Sequence, residues 1–162
     1  MVVSFGASTM KQLGWVIALL VVLGTPAGAA DMSRTEPDPS LSPRDVVGIQ
    51  IAALRNNDTP YEGRGIEVTF NFASPANKRT TGPLERFRSM VHGPAYQPMI
   101  DHRGARFENY VVENESAQID VILQSQQGEY LGYRFILSRQ HGNQYEGSWM
   151  TDAVYRFEIE SI

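Results

Sequence analysis

The sequence predicts an α+β domain in which amino-terminal helices pack in the concave face of a curved four-stranded antiparallel sheet. Two observations carry this expectation. Apolar residues in the front half recur at helical spacing, as at Val46, Ile49 and Ala53, whereas in the rear third they alternate, as at Ala117, Ile119, Val121 and Leu123. The order, helices first and then consecutive hairpin-linked strands, suits helices segregated to one face of an antiparallel sheet.

The chain has 162 residues with 42% hydrophobic and 20% charged side chains, a globular composition that favours one domain. The first thirty residues differ from the rest. Lys11 supplies a positive charge, Leu13 to Leu23 is an uninterrupted apolar or glycine run, and Ala27-Gly28-Ala29 offers the small residues a signal peptidase accepts. Eleven residues rise only about 16 Å as a helix, short of a bilayer core of roughly 30 Å, so residues 1–30 read as a secretory signal rather than an anchor. A periplasmic or secreted product cut near Ala29 or Ala30 is expected, with no membrane attachment after removal of the signal.

Without those residues the balance is 13 basic against 18 acidic side chains, which would repel a phosphate backbone and argues against nucleic acid as a partner. There is no cysteine, which excludes disulfides, thiol nucleophiles, cysteine-ligated metals and a lipid-bearing cysteine. Residues 31–41, polar with Pro37 and Pro39, read as a flexible linker, and residues 42–162 as the domain.

Ser42-Pro43-Arg44-Asp45 opens the first helix, with Ser42 as cap, Pro43 at the first position and Asp45 completing a capping box. Asn56 to Pro60 ends it. From Ile66 to Ala73 periodicity does not decide: Ile66, Val68, Phe70 and Phe72 alternate, yet Ile66, Phe70 and Ala73 also fit a helix. Ser74-Pro75 and Gly82-Pro83 are both placed to open helices, and Leu84, Phe87, Met90 and Val91 give the second an apolar face. Strands follow at Arg106 to Val112, Ala117 to Leu123, Leu131 to Leu137 and from about Tyr145 to Phe157, separated by polar or glycine-containing turns.

The segment Phe70 to Pro83 (FNFASPANKRTTGP), with Phe87, Met90 and the terminal Trp149-Met150-Thr151-Asp152, resembles an uncharacterised bacterial family with a domain of unknown function, similar to cone-shaped nuclear-transport-factor-like proteins. The resemblance covers Ser42 to Val154. It implies that Ile66 to Ala73 is helical and that the sheet wraps the helices to leave a pocket at the open end. Its superfamily holds isomerases, dehydratases and non-catalytic binding modules, so the fold alone assigns no function.

Catalytic cones resembling ketosteroid isomerase or scytalone dehydratase use an Asp or His base beside tyrosines in an apolar pocket. Asp152 and His102 are the candidate bases, with Asp101 and Asp120 also available and Tyr96, Tyr110 and Tyr133 as donors. Against a catalytic role, Asp152 could instead pair with Arg134 or Arg86, and His102 could cap the first strand. Simple alternation puts Asp152, Met150 and Val154 on the side opposite Trp149. Trp149, Tyr133, Tyr96, Phe72 and Arg86 are the candidate pocket residues, the aromatics serving equally well as core. His92, His102 and His141 lack metal-ligand spacing, and no phosphate loop or nucleophile elbow is present, so neither metal nor cofactor is expected. The expected function is a non-catalytic module for a small apolar molecule or a protein partner. The alternatives are a cofactor-independent lyase or isomerase, and a structural homodimer formed through an outer sheet face bearing Gln118, Asp120, Gln124 and Arg134.

Overall fold

A computed structural model describes residues 34–159. The signal segment, residues 1–30, lies outside the described residues, and no helix among those described is long and apolar enough to cross a membrane. Four helices precede a sheet: α1 (Pro43–Arg55), α2 (Arg64–Asn71), α3 (Pro75–Thr81) and α4 (Leu84–Val91). A short 3-10 turn at Gln97–Met99 leads into β1 (Gly104–Glu113), β2 (Ser116–Gln124), β3 (Tyr130–Arg139) and β4 (Trp149–Phe157). The strands pair antiparallel in chain order, forming a curved, unclosed sheet with β1 and β4 at its edges.

The capping box forms as its residues dictate. Ser42 Oγ accepts from the Asp45 amide at 3.2 Å while Asp45 Oδ2 accepts from the Ser42 amide at 2.9 Å, so two otherwise orphaned donors are satisfied. Helix α1 then buries Val46, Val47, Ile49, Ile51 and Leu54, the wide stripe expected of a helix laid across a broad surface. Residues 35–41 run against the domain: Leu41 is buried, and Asn71 donates to the Thr35 carbonyl at 3.1 Å.

The ambiguous segment is helix. Asn57 settles its start by accepting from Gly65 N on its carbonyl at 2.8 Å and from Ile66 N on its side chain at 3.1 Å. Gly65 lets the two helices meet, since a Cβ there would lie 2.7 Å from the carbonyl carbon of Ala53 and 2.9 Å from Cα of Asn57. The turn brings Ile66, Val68 and Phe72 into the core, a burial that an alternating strand at this place could not share with α1.

The sheet's helix-facing side carries Ala117, Ile119, Val121 and Leu123 from β2 and Leu131, Tyr133, Phe135 and Leu137 from β3, all buried in one cluster with apolar residues of α1, α2 and α4. The opposite side is less open than its polar residues suggest. Asp120 is 1% exposed and takes both Arg134 Nε at 2.7 Å and Arg134 Nη2 at 2.9 Å, with Asn109 Nδ2 at 3.1 Å. Gln118, Gln124 and Arg134 are half-buried.

Two features of β4 depart from expectation. The strand starts at Trp149 rather than near Tyr145. Asn143 Oδ1 captures the Tyr145 amide at 2.8 Å, and Gly147, at φ 75°, turns the chain so that its amide reaches the Gln140 carbonyl. Further along, the pairing slips by one residue: Leu137 faces Thr151 while Ile136 faces Ala153, leaving Asp152 as the extra residue of a bulge. Simple alternation therefore fails here. Trp149, Thr151 and Val154 share the side of Arg139, Leu137 and Phe135, so Val154 lies with Trp149 and not against it.

Candidate functional site

Beside the bulge the helical layer and the edge strand separate to leave a cavity of about 470 Å³. Leu54 of α1, Phe87, Met90 and Val91 of α4, Met99, and Phe135 of β3 form an apolar floor and wall. Asn77, Thr80 and Thr81 of α3, Tyr96, and Asp152 to Tyr155 of β4 complete it. This volume falls in the usual range for small-molecule pockets, which are apolar with a few placed polar groups.

The edge strand is fixed to the helices by one residue to which sequence reasoning gave no role of its own. Thr151 donates its amide to the Phe72 carbonyl at 2.9 Å, and its carbonyl accepts from Ser74 N at 2.8 Å and Asn77 Nδ2 at 3.1 Å. Its hydroxyl accepts from buried Gln50 of α1 at 2.8 Å. With four hydrogen bonds converging next to the bulge, β4 is held while Asp152 is displaced toward the cavity wall.

Most polar groups lining the cavity are already occupied. Tyr96 Oη donates to the Val154 carbonyl at 2.9 Å, Thr69 Oγ1 to the Gly65 carbonyl at 2.8 Å, and Thr81 Oγ1 to the Asn77 carbonyl at 3.0 Å. Burial, with Tyr155 nearby, raises the Tyr96 phenol above its ordinary pKa, so it stays a neutral donor. Asp152 differs: its side chain has neither hydrogen bond nor ion pair with the described residues, and it is half-buried. Arg134, one of its expected partners, is committed to Asp120.

Of the residues singled out from the sequence, Asp152 and Tyr96 line the cavity together. Tyr133 is fully buried and donates to the Ala95 carbonyl at 2.9 Å, burial pushing its phenol up to about 12. Phe72 and Trp149 belong to the core between helices and sheet, and Arg86 is exposed on α4, so none of these four lines the cavity. All three aromatics belong to the buried core cluster between helices and sheet.

His102 is 2% exposed, with Nδ1 2.9 Å from the Met99 carbonyl, and it lies outside the cavity lining. Its burial holds the imidazole pKa below the usual value, so it is neutral at pH 7 and serves the turn before β1. Tyr110 stands exposed on edge strand β1. His141, by contrast, is exposed in the β3–β4 connection and bridges Glu115 and Glu146 at 3.0 Å each, which raises its pKa. Among the described residues no group of His, Asp and Glu is arranged to hold a metal ion.

Sequence reasoning missed Asn77, Thr80 and Thr81 because α3 (PANKRTT) has no apolar face to mark it as a wall. Met90 did leave a signal. It lies on the apolar face of α4 yet is 37% exposed, which marks a stripe wider than the surface it covers.

These features define an α+β domain with an apolar side cavity between its helices and an edge strand. A family model described as a domain of unknown function (DUF4864) matches residues 38–161, and the chain belongs to that family. No curated protein and no solved structure matches the chain.

Proposed function

We propose that this domain is a non-catalytic binding module for a small, largely apolar molecule, and that it works outside the cytoplasm, as its amino-terminal apolar run and Ala27-Gly28-Ala29 suggest. The observation that carries the binding reading is the cavity of about 470 Å³ with hydrocarbon and aromatic walls, beside a strand anchored through Thr151. An apolar recess of this size with a few placed polar groups is the usual form of a small-molecule pocket. The arrangement of helices in the concavity of a curved sheet also supports a likeness to the nuclear-transport-factor-like cones, some of which are binding modules.

Catalysis is the weaker reading. Among the described residues Asp152 is the only lining carboxylate, and of the two lining phenols Tyr96 already donates to a backbone carbonyl. The other, Tyr155, is largely exposed, so a base would act without an enclosed acid beside it.

A thermal-shift series with small apolar compounds tests the proposal. A ligand at about 100 times its Kd adds roughly 2.7 kcal/mol of stability, enough to raise the melting temperature by several degrees. Ala76→Trp, at an exposed lining position, is expected to remove the shift while leaving the circular-dichroism spectrum unchanged. A panel spanning alkyl, aryl and polycyclic compounds with no stabilising member would overturn the reading.

A further inference from the structure

We infer that the ligand carries one positive charge on its apolar body, an ammonium or related cation seated against Asp152. The inference rests on the binding reading above and deepens it. Among the described residues the cavity lining contains a single carboxylate and no Lys, Arg or His. Asp152 stands at a bulge on the cavity wall, and its side chain has no partner among the described residues.

No arginine pairs with it among the described residues. Arg134 grips Asp120 through two nitrogens, and Arg156 reaches the Pro94 carbonyl at 3.4 Å; Arg86 is exposed and outside the lining. An anionic ligand would add a like charge beside Asp152 with no cationic side chain in the lining to offset it. A neutral ligand would gain one hydrogen bond at most. An ammonium supplies several donors and a charge, giving the stronger charge-assisted bond. Phe87, Tyr96 and Tyr155 also border the space, and aromatic faces attract cations where water is partly excluded.

A matched series separates the charge from the pocket. Binding of 4-phenylbutylamine, 4-phenylbutanol and 4-phenylbutyrate to the purified chain is measured by titration calorimetry at pH 7 and low salt. The amine is expected to bind at least ten-fold tighter than the alcohol, and the carboxylate weakest. Asp152→Asn, checked for folding by circular dichroism, is expected to bring the amine down to the alcohol's affinity without changing the alcohol's. The wild-type series stands on its own if that variant fails to fold, with loss of the amine's advantage at high salt as the second readout. Equal affinities for amine and alcohol, or an Asn variant that keeps the preference, would overturn the charge assignment and leave the pocket reading intact. No binding by any of the three would overturn the assignment, and the pocket reading would then rest on the wider panel.

Discussion

At residue scale, Asp120 and Asp152 show how one sequence places two carboxylates to different ends. Asp120 faces Arg134 directly across the β2–β3 pair, and the guanidinium, followed by the Asn109 amide, holds its carboxyl below the usual carboxylate range. Because the folded pKa lies below the unfolded one, this pair contributes stability that is complete above about pH 4 and is lost as pH falls through the folded value. Arg134 keeps 43% of its side chain exposed, so it can be rehydrated when its partner is removed. Asp120→Ala is therefore expected to cost about 2 kcal/mol at pH 7, less than breaking a fully buried pair, and the loss should shrink in acid. Urea unfolding at pH 7 and pH 3 checks both; an equal loss at the two values would contradict the ion-pair account.

At the scale of elements, the α1–α2 crossing is the contact most sensitive to a single methyl group. In an isolated helix, replacing glycine by alanine stabilises by roughly 0.5–1 kcal/mol. At Gly65 the new Cβ would press into the backbone of Ala53 and Asn57, which cannot turn aside as a long side chain could. Overpacking wins. Gly65→Ala is expected to destabilise by about 2–3 kcal/mol, and a melting temperature at or above the parent's would show that the helices are not in close contact.

Element boundaries were legible wherever local chemistry decided them. Ser42, Pro43 and Asp45 announce α1, Ser74 and Pro75 announce α3, and the alternation of Ala117 to Leu123 and Leu131 to Leu137 gives β2 and β3 their inner faces. The start of β4 was not legible, because Tyr145 is a good strand residue and the Asn143 and Gly147 turn that captures it depends on Gln140. The bulge at Asp152 left no mark either. An extra residue changes which side each successor faces but not the composition, and only the partner strand reveals it.

At the scale of the whole molecule, the helix-then-strand order was enough to give the α+β arrangement, while the cavity was not foreseeable in detail. Its wall combines a polar helix, a strand edge and one side of α4, pieces that meet only after the sheet has curved around α1. Aromatic residues were the natural guide to a pocket and mostly proved to be core, since large rings contribute most where layers close. Asp152 and Tyr96 reached the cavity for local reasons: one is displaced by a bulge, the other hydrogen-bonds to the edge strand.

Chemical-shift mapping on the isotopically labelled chain, with any apolar compound that raises its melting temperature, tests most directly that this cavity is the binding site. The largest changes are expected at Thr80, Met90, Tyr96 and Asp152 to Val154, with Tyr110 and His141 unmoved. Changes spread along β1 or the β3–β4 connection, with those cavity residues silent, would contradict it.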